Sequence, residues 1–318
     1  MRELTIGKND AGQRLDRFVG KSLPLLPPAL LQKYIRLKRI KLNGKGAKRE
    51  VKLQLGDTLQ LYINDEFFDK PSDENIFLTI ATPQIDAVYE DEHILLINKR
   101  AGMVVHDDDH NTVGTLVHHL HAYLYQKKEW NPRDEQSFTP ALCNRIDRNT
   151  SGIVMAAKTA EALRILNEKI RDHEVEKQYL CITVGKPTPP NGTIRGFLRK
   201  DDMKKQVTFH KKPVPNGKTA ITHYRTVKTS DKLSLVECTL ETGRTHQIRV
   251  SMAEIGCPLL GDGKYGHGAT NRQYNETKQA LCAYKLTFTF PTDGGVLSYL
   301  KGKTFTVANV PFVETYFG

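Results

Sequence analysis

Apolar residues in QRLDRFVGKSL recur at Leu15, Phe18, Val19 and Leu23, which draws one stripe down a helix. After the Pro27-Pro28 pair, ALLQKYIR repeats the pattern with Leu31, Tyr34 and Ile35, and a proline suits a helix start. IKLNGK then predicts a strand running into an Asn-Gly turn. VKLQLGDTLQLYI alternates on both sides of Gly56-Asp57, with Val51, Leu53, Leu55, Leu59, Leu61 and Ile63 on one face, which predicts a hairpin. The next segment, NDEFFDKPSDEN, is acidic and broken by proline, so residues 64–85 read as a tether.

From residue 86 strands dominate. ILLI (94–97), GIVMAAK (152–158), KQYLCITVG, TAITHYRTV, SLVECTLE and KLTFTF all read as strands. Helices are predicted for TAEALRILNEKIRD, with Leu163, Leu166 and Ile170 inward and Thr159 as N-cap, and for THQIRVSMAEIG, between a Thr245 cap and Gly256. Strands outnumber helices without strict alternation, so α+β is expected: a mixed, largely antiparallel sheet domain with a cleft, preceded by a small helical hairpin and sheet. The expected division is 1–63, a tether over 64–85, and a main domain over 86–318.

Charge sharpens this division. The chain has a net charge of +11, and residues 1–63 hold 14 Lys and Arg against 5 Asp and Glu, whereas the remainder holds 33 against 31. A local excess of this kind points to a polyanionic partner, with nucleic acid ahead of a merely solvated face. Lys33, Arg36, Lys38, Arg39, Lys41, Lys48 and Arg49 cluster where the second helix passes into the first strand and turn, which suits the phosphates of structured RNA. No apolar run approaches the length of a membrane span, and MRELTIGKND has no apolar signal core. The five scattered cysteines contain no CxxC pair, so they are expected as reduced thiols in a cytoplasmic protein.

Several motifs lead nowhere. GDGKYG (261–266) matches GxGxxG but lacks the strand-turn-helix context of a dinucleotide site. GKT (217–219) lacks the upstream glycine of a phosphate loop, because that position is Lys212. HDDDH (106–110), near His118, His119 and His121, offers metal-ligating atoms without a recognised ligand spacing, so a solvated loop is preferred. No GxSxG elbow or Ser/His/Asp order supports acyl transfer.

Three segments remain: NRIDRNTSG around Asp147, KQY with Tyr179, and GRTHQIR ending in Arg249. Singly, each residue has a bland reading as a surface ion pair, a core residue or a solvated cation. Together and in this order, INKRAGMVVH, NRIDRNTSGIVMAAKT, EKQYLCITVG and LETGRTHQIRVSMAEIGCPLLGDGKYG resemble the RluA-type RNA pseudouridine synthases, which isomerise uridine to pseudouridine. Residues 12–63, through RLDRF, LLQKYIR, IKLNGK and LGDTLQL, resemble the S4 RNA-binding domain that commonly precedes that catalytic domain.

The resemblance implies a cofactor-free and metal-free isomerase, a monomer acting on RNA, chiefly on large-subunit (23S) ribosomal RNA. It places the catalytic aspartate on Asp147, the active-site tyrosine on Tyr179, the active-site arginine on Arg249 and an RNA-contacting arginine on Arg145. Two letters depart from the family pattern: Asn144 where histidine is usual, and Arg100 where proline is usual. Such a carboxylate must stay ionised beneath a base, and a guanidinium offsets the cost of burying it. Arg249 is expected as its partner in preference to the flanking arginines. A protein that keeps the fold and binds RNA without turnover is the alternative reading.

Overall fold

The computed structural model describes residues 1–68, 72–106, 114–201, 203–204 and 206–318, without the side chains of residues 72–75. Asp107 to His110 of the HDDDH run lie outside the described residues. The chain forms two compact units: residues 1–84 with 117–141 and 157–163, and residues 85–116, 142–156 and 164–318.

In the first unit, β1 (Arg2–Thr5) is followed by α1 (Leu15–Ser22), α2 (Pro28–Arg36), β2 (Ile40–Leu42), β3 (Lys45–Gly46) and β4 (Thr58–Leu61). The four strands form one sheet in the order β1-β4-β2-β3. Leu15, Phe18 and Val19 of α1 and Leu31, Tyr34 and Ile35 of α2 pack with Ile40, Leu59 and Leu61 in one apolar core, so both helical stripes face inward.

The hairpin around Gly56-Asp57 is half present. Residues 58–61 form β4, but 51–55 form no strand, because their backbone is bonded to the loop before α1. Leu15 N–H donates to Val51 O (2.8 Å), Gly12 N–H to Leu53 O (2.7 Å), and Leu53 N–H to Gln13 O (2.9 Å). β4 pairs instead with β1, near residue 1, and on its other side with β2. The expected tether also carries short 3-10 turns, Asp65–Phe68 and Ser72–Thr79. Its Phe77 is buried, with its ring against His121, Tyr125 and Trp130. This aromatic residue takes that part of the segment out of solvent.

The second unit is built on a sheet that runs β11-β10-β12-β13-β9-β14-β8-β6-β5. These strands are β5 (Ala87–Glu90), β6 (Ile94–Lys99), β8 (Ser151–Ala157), β9 (Val175–Val184), β10 (Asn191–Asp201), β11 (Gln206–His210), β12 (Lys218–Thr229), β13 (Leu233–Leu240) and β14 (Leu281–Phe288). Two short strands join its flanks, β7 (Ala141–Leu142) on β8 and β15 (Thr304–Thr306) on β14. Pairing is antiparallel from β11 through to β14, and β14 meets β8 in parallel. The remaining helices of the chain are α3 (Leu116–Gln126), α4 (Ala160–Arg171), α5 (Gln247–Glu254), α6 (Gly268–Gln273) and α7 (Pro311–Phe317). This is the expected α+β arrangement. Among the described residues no helix is long and apolar enough to cross a membrane.

Helix α4 starts as expected, with Thr159 Oγ1 accepting from Ala162 N–H at 3.2 Å. Helix α5 differs: His246, at φ 54°, stands at its N-cap in place of Thr245 and offers no side-chain cap. The side chain of Gln247 shapes the entry instead. Its Oε1 accepts from Thr242 Oγ1 (2.8 Å) and Arg244 N–H (3.0 Å), while Nε2 donates to Ile221 O and Thr222 Oγ1, both at 3.0 Å. Ile248 and Met252 then lie in the core beside Cys181, Val236 and Cys238 of the central strands. Gly256, at φ +77°, ends the helix as the sequence predicts.

Candidate active site

Asp147 sits in the loop between β7 and β8, and that loop is fastened along its length. Cys143 N–H donates to Met155 O (2.7 Å), and Met155 N–H donates back to Asn144 Oδ1 (2.8 Å). Asn144 thus stitches the loop to β8, whatever a histidine would do in its place. Thr150 N–H closes a turn on Asp147 O at 3.0 Å. Just after the turn, the close approach of β8 to β14 needs Gly152: at φ +106°, a Cβ there would lie 2.2 Å from the Ala283 carbonyl oxygen.

Beneath the loop lies Lys99, whose side chain is fully buried. Its ammonium donates to the carbonyls of Arg100 (3.0 Å), Met103 (2.9 Å) and Arg148 (3.0 Å). Gly102 N–H also donates to Arg148 O, at 2.8 Å. Burial lowers the Lys99 pKa to about 8, with the Asp147 charge pulling the other way. At the Arg100 position the structure requires only a backbone carbonyl, so the absence of proline removes no contact to Lys99.

The structure brings Asp147 and Arg249 together across 102 residues of sequence. Arg249, on α5, donates through Nη1 to Asp147 Oδ2 at 2.8 Å. Its Nε and Nη2 hold the two carboxylate oxygens of Asp262 at 2.7 and 2.9 Å, a fork-to-fork pair. Asp262 is wholly buried, and its Oδ1 also accepts from Lys264 N–H (2.8 Å) and Tyr265 N–H (3.1 Å). Burial works against the Arg249 charge, yet Asp262 and then Asp147 raise its pKa above the ordinary value. Burial likewise opposes ionisation of Asp262, and the guanidinium outweighs it, so that carboxyl lies below its usual range.

Tyr265, from the same loop, lies under the Arg249 guanidinium at 5.2 Å from ring centroid to Cζ. Its hydroxyl accepts from Val207 N–H (2.9 Å) and shares a hydrogen bond with His246 Nδ1 (2.8 Å). His246 Nε2 is 3.8 Å from Asp147 Oδ2, and burial lowers its pKa against the pull of Asp147. The left-handed backbone at His246 marks strain at the rim of the site.

Tyr179, on β9, is buried in the apolar cluster of Ile248 and Leu281 and lines the cleft that holds Asp147. Burial first, and the Asp147 charge second, push its phenol far above the usual 10. Arg145 is exposed and lines the cleft on both sides of Asp147. Lys177, two residues before Tyr179, lines the cleft too, and burial lowers its pKa.

The other cations expected to meet RNA lie in the first unit. Lys33 and Arg36 occupy the last turn of α2, with Lys38 and Arg39 just beyond it, Lys41 on β2, and Lys48 and Arg49 after β3. All are exposed except half-buried Lys41, which lies over the Tyr62 ring. Arg49 is paired with Glu50.

Sequence reasoning missed Asp262, Lys99, His246 and Gln247. The signal for Asp262 was present, since a carboxylate fixed between Gly261 and Gly263 lies in the very motif set aside as a false nucleotide loop. Gly261 cannot carry a side chain there, because a Cβ would meet Lys278 O at 2.0 Å. Lys99 carried no signal, since lysines are rarely fully buried.

Sequence and structure comparisons identify the family of the chain. A sequence model of the RNA pseudouridylate synthase family matches residues 93–254, which hold Asp147, Tyr179 and Arg249. Among curated relatives, the RNA pseudouridine synthase YlyB of Bacillus subtilis (strain 168) is 31% identical over 297 residues, covering 93% of this chain and 92% of its own. Ribosomal large subunit pseudouridine synthase D of Neisseria meningitidis (strain Z2491) is 32% identical over 307 residues, covering 93% and 77%. Among solved structures, human RNA pseudouridylate synthase domain containing 1 superposes with a TM-score of 0.57 at 21% identity, covering 78% of this chain and 88% of that one, a likeness of fold. With the family match and near-full-length relatives converging on the domain that carries the Asp147–Arg249 pair, the chain belongs to the RNA pseudouridylate synthases, isomerases that act on RNA.

Proposed function

We propose that the protein converts specific uridines of large-subunit ribosomal RNA to pseudouridine, with Asp147 as the catalytic carboxylate and no cofactor. The observation that carries this reading is the Asp147–Arg249 contact of 2.8 Å at the centre of an open cleft, with Tyr179 beside it. Relatives named as ribosomal large subunit synthases support the choice of RNA.

The reaction breaks the N1–C1′ bond, turns the uracil and forms a C5–C1′ bond. The proton lost from C5 is balanced by one gained at N1, so no electrons and no water are exchanged. Asp147 is one-quarter exposed, enough for an oxygen to reach a sugar or base while Arg249 holds the other side of the carboxylate. The target nucleotide must leave its stack to reach that oxygen. Tyr179 offers a ring face to the uracil and a phenol to the C5 proton. Arg145, exposed at the rim, is suited to meet the neighbouring phosphate or the vacated stack.

The first unit, through residues 1–63, acts as an S4-type RNA-binding module that supplies salt-sensitive affinity through its exposed lysines and arginines. The protein is proposed to work as a cytoplasmic monomer.

The test is pseudouridine mapping of ribosomal RNA from a deletion strain, complemented with wild type or with Asp147→Ala. Sites that vanish on deletion and return only with wild type support the reading. In Asp147→Ala, Arg249 keeps both bonds to Asp262, so folding and RNA binding persist. Modification restored by Asp147→Ala would overturn the assignment, and an unchanged map on deletion would favour a non-catalytic binder.

A further inference from the structure

His246 stands beside Asp147 on a left-handed backbone, φ 54° and ψ 20°, that a residue with a β-carbon seldom adopts. Its side chain does not cap α5, so the conformation brings that helix no hydrogen bond. It places the imidazole instead on the wall of the recess that Asp147, Tyr179 and Arg249 share. Nε2 lies 3.8 Å from Asp147 Oδ2, too far for a hydrogen bond and near enough to meet a group that the carboxylate meets. Backbone strain held at such a place is a pointer to function.

Two contacts fix the ring. Tyr265 meets it in a T-shaped arrangement, with centroids 5.6 Å apart and planes at 68°, and the Tyr265 hydroxyl lies 2.8 Å from Nδ1. That hydroxyl already accepts from Val207 N–H at 2.9 Å, which leaves its own proton for Nδ1. Nδ1 is then the acceptor and Nε2 carries the N–H of the ring, since the bond made by one nitrogen sets the state of the other. The result is a donor held in place next to Asp147.

Taking Asp147 as the reacting carboxylate, as proposed above, we propose that His246 is a further catalytic residue. Its Nε2–H donates to the O2 carbonyl of the target uracil and stabilises the negative charge that the ring takes on when the N1–C1′ bond breaks.

When that bond breaks, its electron pair stays on the uracil, spread over N1 and the two carbonyl oxygens. O2 is carried by the ring atom next to N1, so a carboxylate acting at C1′ has O2 close by, whereas O4 lies across the ring. A preplaced donor at such an oxygen stabilises charge as it develops, as the donors of an oxyanion hole do. No proton moves to or from His246. The pair returns to C1′ from C5, the C5 proton departs and N1 gains one, so atoms and electrons balance with the imidazole unchanged.

Its polar neighbours in the recess are engaged elsewhere. Arg249 directs Nε, Nη1 and Nη2 to carboxylates. Gln247 uses both ends of its amide at the entry to α5. Arg244 Nε donates to Thr219 O at 3.0 Å, and Thr150 Oγ1 accepts from Gln279 Nε2 at 3.3 Å.

The test compares wild type, His246→Ala and His246→Gln on a ribosomal RNA fragment spanning the mapped uridine. Glutamine is the conservative variant, because its amide can set an N–H near the place of Nε2. The alanine variant is expected to lose about 10²-fold in the saturating single-turnover rate, the usual loss for one such donor. Its Kd for the fragment, read by filter binding in an Asp147→Asn background, should change by less than about threefold. The glutamine variant should run about tenfold faster than the alanine variant.

An active wild type whose saturating rate survives His246→Ala would overturn this inference alone. So would a glutamine variant no faster than alanine, which would make the imidazole a packing group. A weaker Kd at an unchanged saturating rate would overturn it as well, by placing His246 in ground-state binding. A wild type that forms no pseudouridine would overturn the catalytic reading and this inference with it.

Discussion

Arg249 gives two of its three guanidinium nitrogens to Asp262 and one to Asp147. The Asp262 end is fully buried and bidentate, whereas the Asp147 end is a single bond at the edge of the cleft. Asp262 therefore sets where Arg249 points, and Arg249 sets where Asp147 points. Removing Asp262 leaves a buried guanidinium half unanswered, a change that typically costs about 3–5 kcal/mol.

Asp262→Ala is expected to lower unfolding stability by that order in urea titrations. Asp262→Asn keeps an acceptor, so it should lose less stability while still slowing turnover, because the guanidinium is no longer held by charge on both oxygens. A fully active Asp262→Asn enzyme would show that hydrogen-bond geometry alone suffices.

Tyr179 combines two roles that one substitution can separate. Its ring packs with Ile248 and Leu281 in the core, so Tyr179→Ala opens a cavity and should cost about 3–5 kcal/mol, as for other large aromatic deletions. Tyr179→Phe keeps the packing and removes only the phenol. If the hydroxyl moves the C5 proton, the single-turnover rate should fall by about 10²-fold with RNA affinity intact. Because burial and Asp147 hold the phenol far above its usual pKa, no alkaline limb of a rate profile below pH 10 belongs to it. A Tyr179→Phe rate equal to wild type would leave the ring face as the residue's only contribution.

Helical stripes and core strands were legible because each is a local pattern. Leu15, Phe18 and Val19, or Ile248 and Met252, point inward as their spacing requires. The false strand at 51–55 shows the limit of that logic. Alternation there is real, but its backbone groups are taken by residues 12–15, and no local pattern reveals a partner that far away. The Asp147–Arg249 contact spans about a hundred residues and was reachable only by resemblance. Asn144, a departure from the family pattern in sequence, accepts from Met155 N–H through its Oδ1. Asn144→Leu removes that acceptor and leaves the N–H of buried Met155 unanswered, so it should cost about 1–3 kcal/mol in denaturant titrations and slow turnover by loosening the Asp147 loop.

Lys99 gives the site a pH dependence of definite sign. In the folded protein it loses its proton near pH 8, while in the unfolded chain it keeps it up to the ordinary 10.5. Between those values the unfolded chain binds more protons, so stability rises with pH across that window. The gap corresponds to roughly 3 kcal/mol, absent below pH 8 and complete above about 10.5. Lys99→Met lacks this contribution. Urea titrations at pH 7, 8, 9 and 10 should therefore show wild type gaining on Lys99→Met as pH rises. Asp147 opposes the depression, so Asp147→Ala should move the onset to lower pH. A difference between wild type and Lys99→Met that stays constant from pH 7 to 10 would mean that Lys99 titrates outside the window.

The N-terminal cations make a separable claim about affinity. Lys38 and Arg39 are exposed just beyond α2, Lys38 in a left-handed turn at φ 57°, and Lys41 follows on β2. None of the three belongs to the core of Phe18, Ile40 and Leu59, so replacing them with alanine should leave the unit folded. If they meet phosphates of a structured RNA, the triple variant Lys38→Ala, Arg39→Ala, Lys41→Ala should weaken binding of a ribosomal fragment. The slope of log Kd against log salt should fall by roughly 0.9 for each duplex phosphate that is no longer neutralised. At saturating RNA the rate of the Asp147 step should be that of wild type, because these residues belong to the unit that holds neither Asp147, Arg249 nor Tyr179. Filter binding from 50 to 200 mM salt reads the slope, and single-turnover assays read the rate. A parallel fall in rate at saturation would tie the module to the chemistry, whereas an unchanged slope would remove these three side chains from the RNA interface.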